Sequence, residues 1–177
     1  MSGGKASPKP VLAPEKLAKH HDVSRFANGK HASLDEWLKD RARTSEGLSA
    51  RTYVICDAAE PARVIGYYAI STAMVRRQAL PSAKLRKGMP EEVPLLLIGR
   101  LALDAGYQGQ GLGTDLLADA LRRCFAAADI VGARGVLAHA LDDEAKRFYE
   151  RHGFLESPIG ERAMLMPIET VTALFRG

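Results

Sequence analysis

Apolar positions along the chain change their spacing several times, and each change marks an element. Leu34, Trp37, Leu38 and Ala42 recur at helical spacing behind Ser33-Leu34-Asp35-Glu36, an S-x-x-E capping box, which predicts a helix over 34–43. Ahead of it, Val11-Leu12-Ala13 reads as a short first strand and HDVSRF, 21–26, as a small helical segment. RTYVICD, 51–57, and VIGYYAISTAMV, 64–75, are rich in β-branched and aromatic residues and flank a proline-bearing turn, the pattern of a hairpin. A loop with Pro81 and Pro90 leads to an apolar strand over 95–104. Leu112, Leu116, Leu117, Ala120, Leu121 and Ala128 then share one broad helical face, suited to packing on a sheet. VLAHAL, 136–141, is the next strand. Asp142 or Asp143 caps a short helix carrying Ala145, Phe148 and Tyr149, Gly153 stops it, and a last strand covers 163–168. Strands before, between and after helices predict an α/β (α+β) fold of three layers, a mixed central sheet flanked by helices.

Composition adds bounds. With 177 residues, 46% of them hydrophobic, the chain has material for one sizeable core and not for two ordinary domains, so a single domain is expected over 11–177. Residues 1–10, rich in Gly, Ser, Lys and Pro, read as a disordered arm. No apolar run approaches a bilayer span and MSGGKASPKP lacks the apolar stretch of a signal peptide, so a cytoplasmic protein with no membrane partner is expected. Cys56 and Cys124 stand far apart in apolar settings and read as buried free thiols. His20, His21, His31, His139 and His152 lack metal-ligand spacing, and no metal is expected.

The segment 95–121, LLLIGRLALDAGYQGQGLGTDLLADAL, carries the chemistry: an apolar strand runs into a glycine-rich loop that opens directly into an amphipathic helix. Glycines in such a loop let backbone N–H groups converge, and the first turn of the helix adds its own N–H groups and a positive dipole end, an arrangement for an anion. A P-loop would place a lysine before its hydroxyl, whereas Thr114 follows Gly113. A dinucleotide fingerprint begun at Gly109-x-Gly111 would put its third small residue at Thr114, with too few strands left for a doubly wound sheet. Two readings remain at this point, a turn that binds nothing and a diphosphate loop of another kind. Arg76, Arg77, Lys84, Arg86 and Lys87 form a run of five basic residues with no acid among them, and Lys39, Arg41, Arg43 and Arg51 form a second group. Such a run is either a solvated loop or a phosphate-tracking surface, within a chain of net charge +4.

The Gln108-x-x-Gly111-x-Gly113 loop resembles the coenzyme A pyrophosphate loop of the GNAT superfamily of N-acetyltransferases, and Phe148-Tyr149 with Gly153-Phe154 resembles its F-Y-x-x-x-G-F segment. Further segments extend the resemblance to one branch, the acetyltransferase toxins of type II toxin–antitoxin modules: LDEWL at 34–38, Arg51-Thr52-Tyr53-Val54, Gly66-Tyr67-Tyr68, KLRKGMP at 84–90, Gly99-Arg100-Leu101-Ala102-Leu103-Asp104 and HALDDEA at 139–145. The resemblance implies an acetyltransferase that moves acetyl from acetyl-CoA to the α-amino group of aminoacyl-tRNA and so blocks translation, working without a metal. It implies a homodimer silenced by a ribbon-helix-helix antitoxin. Leu101, Ala102, Leu103, Gln108, Gly109, Gln110, Gly111, Leu112, Gly113, Thr114, Asp142 and Phe148 are then the coenzyme-binding candidates. Many superfamily members carry an asparagine where this chain has Asp142.

Tyr149 takes the position whose hydroxyl lies near the thioester sulfur, with Leu101 and Leu103 as backbone donors to the tetrahedral oxyanion. A thiol titrates near about 8.5 and a tyrosine near about 10, so full proton transfer to the thiolate is uphill by roughly 2 kcal/mol, and Tyr149 is expected to act as a hydrogen-bond donor and transient acid. The basic run gains a polyanionic substrate, with Arg76, Arg77, Lys84, Arg86, Lys87 and Arg100 as tRNA-binding candidates. No carboxylate is an evident base, and an α-amine, near about 7.7 to 8.0, needs less help than a lysine near about 10.4. The rival expectations are acetylation of a protein lysine, a protein N-terminus or a small amine, and a degenerate fold that only binds nucleic acid or a partner.

Overall fold

The structure, a computed structural model, describes residues 7–176. Its strands are β1 (Glu15–Lys16), β2 (Arg51–Cys56), β3 (Val64–Arg76), β4 (Glu92–Leu103), β5 (Gly135–His139), β6 (Leu155–Glu156) and β7 (Ala163–Pro167). They form one mixed sheet in the order β1-β2-β3-β4-β5-β7-β6. β4 and β5 are parallel, pairing Leu96 with Val136, Leu97 with Leu137 and Ile98 with Ala138, and β4 continues to Leu103. β5 and β7 are antiparallel, as are β6 and β7. The helices are α1 (Ala32–Asp40), α2 (Ala42–Ser45), α3 (Ala83–Arg86), α4 (Leu112–Ala128), α5 (Asp143–Arg151) and α6 (Ile168–Phe175). The expected fold class holds. The chain divides into two compact units, Met1–Tyr68 with Leu101–Leu117 and Ala69–Arg100 with Ala118–Gly177.

In the first unit, Leu17, Val23, Phe26, Leu34, Leu38, Ala42, Val54, Cys56, Val64, Tyr67 and Ala102 make the core, with Trp37 stacked on Tyr67 at 5.9 Å. The buried Tyr67 hydroxyl donates to Leu34 O at 2.7 Å, so its burial leaves no unmet donor. Three local expectations need correction. The strand expected at 11–13 is only a bridge from Val11 to Asp57, and the regular pairing comes at Glu15 and Lys16 opposite Val54 and Tyr53. Pro14, which has no N–H to give, separates the two. Residues 21–26 form no helix. Asp22 Oδ1 accepts from the Ser24 N–H at 2.9 Å and hydroxyl at 2.6 Å, a side-chain turn that competes with helix. The capping box also fails to form: α1 begins at Ala32 with His31 as N-cap, and Ser33 lies inside the helix. Asn28 sets that start, because its Oδ1 accepts from His31 N at 3.0 Å and its N–H donates to Asp35 Oδ1 at 2.8 Å. The helix ends at Asp40, short of the expected Arg43, and Arg41 separates it from α2.

Of the expected arm, residues 1–6 lie outside the described residues. Lys9 and Pro10 carry hydrogen bonds, the Pro10 carbonyl accepting from Ala58 N at 3.0 Å.

In the second unit, Leu80, Leu85, Val93, Leu95, Leu137, Ala163 and Leu165 make the core, and Ala73, Val75, Met89, Leu97 and Ile159 pack on it. Asp142 is the N-cap of α5, its Oδ1 accepting from Ala145 N at 2.7 Å, as one of the two expected caps. The last strand stops at Pro167, and Ile168 starts α6, an element the β-branched sequence IETVTALF concealed. That helix is seeded by tertiary bonds. Ile168 N donates to Arg134 O at 3.0 Å, and Arg134 Nη1 pairs with Glu169 at 2.8 Å. The short β6 is likewise absent from the sequence reading.

Candidate functional site

The glycine loop belongs to the first unit and is tied down residue by residue. β4 leaves the sheet at Asp104, a buried carboxylate that accepts from Ala27 N at 3.0 Å through Oδ2 and from Gly106 N at 2.9 Å through Oδ1. A 3-10 turn over Ala105–Tyr107 follows. The Tyr107 hydroxyl donates to Asp57 in a short bond. The proton stays on the phenol: Asp57 is held below the usual carboxylate range, first by this hydrogen bond, and burial and Asp57 push Tyr107 up to about 12. The Gln108 side chain faces inward, its Nε2 donating to Asn28 O at 2.9 Å and Leu103 O at 3.0 Å. It braces the loop, and what it can offer a ligand is backbone. Gln110 Oε1 accepts from Lys9 N at 2.8 Å.

Gly109 and Gly111 have φ of 76° and 83°, a conformation that glycine takes without Cβ strain, and nothing lies within 4 Å of where either Cβ would stand. The loop is therefore an open cradle between braced side chains, with Asp115 N donating to Gly111 O at 3.3 Å at the entry to α4. Backbone N–H groups at the start of a helix are the kind of donor that an anion takes. Leu112 is buried, Gly113 half-buried and Thr114 exposed. Leu101 and Leu103 are half-buried and Ala102 buried, all in the last turn-in of β4 before Asp104.

The second unit holds Tyr149 and the basic candidates. Tyr149 is 5% exposed on α5, its ring edge-on to Phe148 at 5.4 Å and to Phe154 at 5.1 Å. Its carbonyl accepts from Phe154 N at 3.1 Å, which folds the chain after Gly153 back over the ring. Desolvation holds the phenol well above its ordinary pKa, so the side chain is a neutral donor. Among the described residues its hydroxyl has no hydrogen-bond partner. Phe148 is half-buried, its carbonyl close to His152 Nδ1 at 2.7 Å.

In the basic loop, buried Leu80 and Leu85 act as anchors, and Ser82 caps α3 by accepting from Leu85 N at 3.3 Å. Two of the candidate cations are spent on the loop itself: Arg77 Nη1 donates to Met89 O at 2.8 Å, and Arg86 Nη1 to Leu80 O at 2.9 Å. The side chains of Arg76, Lys84 and Lys87 are exposed and make no hydrogen bond or ion pair among the described residues. Arg100 is half-buried in β4. Of the second basic group, Arg43 donates to His21 O at 2.6 Å and Arg51 pairs with Glu46 at 3.4 Å.

Cys56 and Cys124 are buried free thiols, as expected, and burial pushes them up to about 11 and about 12, which leaves both unreactive near neutral pH. Among the described residues, Glu15, His20 and His21 bring three ligand-type atoms within 4.8 Å of one another. His21 Nδ1 accepts from Ala18 N at 2.8 Å, however, so the ring proton sits on Nε2, which donates to Glu15 at 2.7 Å. That tautomer makes a hydrogen-bonded pair and opposes metal ligation through Nε2. No helix among the described residues is long and apolar enough to cross a membrane. Sequence reasoning missed Asn28, Asp57, Tyr107 and Lys9 as parts of the loop's support. Only Asn28 carried a local signal, the turn-forming Asn28-Gly29 pair.

Comparison with known proteins supplies the remaining observations. The family model described as Acetyltransferase (GNAT) domain matches residues 49–156. A "tRNA-acetylating toxin" of Mycobacterium tuberculosis is 38% identical over 163 residues, covering 92% of this chain and 95% of that protein. The structure of AtaT complexed with acetyl-methionyl-tRNAfMet superposes with a TM-score of 0.84 at 31% identity, covering 94% of this chain and 99% of that one. A mutant AtaT toxin bound to the C-terminus of the antitoxin AtaR and acetyl-CoA does so at 0.76 and 28% identity, covering 95% and 99%.

Proposed function

This chain belongs to the GNAT acetyltransferase domain family, and from that premise we propose that it transfers acetyl from acetyl-CoA to the α-amino group of aminoacyl-tRNA. An acetylated aminoacyl group has lost its nucleophilic amine, so peptide elongation stops and the protein acts as a toxin. The observation that carries the acceptor assignment is the acid-free run from Arg76 to Lys87, where the side chains of Arg76, Lys84 and Lys87 are exposed and, among the described residues, make no ion pair. Phosphate contacts position a nucleic acid, and unpaired cations supply them. The relative named as a tRNA-acetylating toxin supports the same acceptor over nearly the whole chain.

In this reading the N–H groups of Gln108–Thr114 hold the coenzyme's pyrophosphate, and Leu101–Leu103, beyond the stretch of β4 paired with β5, line its pantetheine arm. The amine attacks the thioester carbonyl, a backbone N–H of that strand stabilises the oxyanion, and Tyr149 donates a hydrogen bond to the departing sulfur, which takes up by way of water the proton that the amine loses. Asp142 serves α5 first as its cap, and any part in coenzyme binding comes second to that role. Arg77 and Arg86 present the loop, while Arg76, Lys84, Lys87 and Arg100 meet phosphates. The protein works in the cytoplasm as a homodimer and is neutralised by an antitoxin, for which a ribbon-helix-helix protein is the candidate.

The test is incubation with labelled acetyl-CoA and mixed charged tRNA, followed by identification of the labelled aminoacyl groups. Label on the α-amine of aminoacyl-tRNA is expected. Label confined to protein or to small amines overturns the acceptor assignment while leaving the family intact.

A further inference from the structure

We propose that Lys9 is a positioning residue for the coenzyme loop, a clamp reaching from the segment ahead of β1 to both sides of Tyr107–Gly109. The inference rests on the coenzyme reading of that loop. Lys9 N donates to Gln110 Oε1 at 2.8 Å, and its Nζ donates to Gly106 O at 3.0 Å while lying 4.5 Å from the centre of the Tyr107 ring. The ring under the ammonium is itself fixed by the bond from Tyr107 to Asp57. The clamp is held from behind as well. Pro10 O accepts from Ala58 N at 3.0 Å and Leu12 N donates to Cys56 O at 2.8 Å, so the residues after Lys9 run along the end of β2.

The local sequence makes this ordering cheap. In Pro8-Lys9-Pro10 the prolines have fixed φ, and the residue before a proline is confined to extended conformations, so little backbone freedom is lost when Lys9 settles. The loop it holds has the opposite character. Gly109 and Gly111 have no side chains to restrain them, and a loop ordered only on binding would lose that entropy at the expense of affinity. Lys9 fastens it beforehand. A carbonyl oxygen and an aromatic face attract the ammonium without neutralising it, and Lys9 makes no ion pair among the described residues, so its charge remains directed to an anion at the loop. Lys9 lies outside residues 49–156, the part matched by the family model.

The experiment measures coenzyme A binding by calorimetry for the full chain and for Lys9→Met, Lys9→Arg and a form lacking residues 1–9. Lys9→Met is expected to raise the Kd about threefold to tenfold, the range for losing one solvent-exposed hydrogen bond, and Lys9→Arg to recover most of it. The deletion, which also removes the bond to Gln110, is expected to exceed Lys9→Met. The penalty shrinks as salt rises, and with acetyl-CoA and charged tRNA it falls on the KM for acetyl-CoA and not on kcat. An unaltered Kd in Lys9→Met overturns the clamp, as does a loss of affinity that comes with a matching fall in Tm and kcat. Failure of the unmodified protein to bind coenzyme A overturns instead the coenzyme reading on which the clamp rests.

Discussion

Tyr149 combines a buried ring with a hydroxyl that has no partner among the described residues, and both features bear on its chemistry. Burial penalises the phenolate, so the folded-state pKa moves up and the proton stays on to higher pH than in a free tyrosine. Complete transfer to a coenzyme thiolate is thereby more uphill than ordinary tyrosine chemistry allows, which moves Tyr149 from transient acid toward hydrogen-bond donor. Tyr149→Phe keeps the contacts to Phe148 and Phe154 and is expected to lower kcat by about 10²- to 10⁴-fold with the Kd for coenzyme A unchanged. The wild-type rate is expected to rise with pH as the acceptor amine loses its proton and to stay level to about pH 9.5, since a raised donor pKa delays the alkaline fall. A fall setting in near pH 9 in single-turnover assays would remove Tyr149 from that role. The identity of this residue was legible in Phe148-Tyr149-x-x-x-Gly153-Phe154. Its burial was not, because Phe154 reaches the ring only after the chain turns back at Gly153.

At the scale of elements, the basic loop behaves as two populations. Arg77 and Arg86 donate to backbone carbonyls and shape it, whereas Lys84 and Lys87 point to solvent. Replacing Lys84 and Lys87 by alanine is expected to reduce the slope of log affinity for tRNA against log salt by about 1 per phosphate contact, with Tm unchanged. Arg86→Ala is expected to weaken binding and also to lower Tm by about 2–4 °C, measured by calorimetry, because it removes a hydrogen bond from within the loop. Identical profiles for the two variants would mean that the division is unreal. Spacing alone ranked all five basic residues together, since a side chain that braces its own loop and one that awaits a ligand read alike in sequence. Helix starts show the same limit. Ser33 fitted a capping box, yet Asn28 and Asp35 began α1 two residues earlier through bonds that local pattern does not encode.

At the scale of the molecule, β3, β4 and α4 each pass from one compact unit into the other as continuous elements. Melting either unit would strip its partner of part of two strands and a helix, so we propose that the chain unfolds as a single domain. One cooperative thermal transition is expected. Coenzyme A at 100 times its Kd is expected to stabilise the protein by about 2.7 kcal/mol, a rise in Tm of about 5–10 °C, and to shift the whole transition. Two resolved transitions, with only one responding to coenzyme, would mean that the units fold independently.

The sequence by itself determined the element order, the apolar faces, the glycine loop and the aromatic pair at Phe148-Tyr149, because each is written in residues close together along the chain. Periodicity, glycine placement and turn chemistry are local physics, and they were enough to reach the fold class and a candidate anion loop, whereas the acetyltransferase chemistry came from the resemblance to the GNAT superfamily. Tertiary structure decided which polar side chains are occupied and which remain for a ligand. Gln108 turned inward to Asn28 and Leu103, Arg77 and Arg86 closed on carbonyls, α6 was seeded by Arg134, and Lys9 closed on a loop about a hundred residues away. Those outcomes depend on partners distant in sequence, since a buried or loop-bound donor takes whichever acceptor the fold brings within reach.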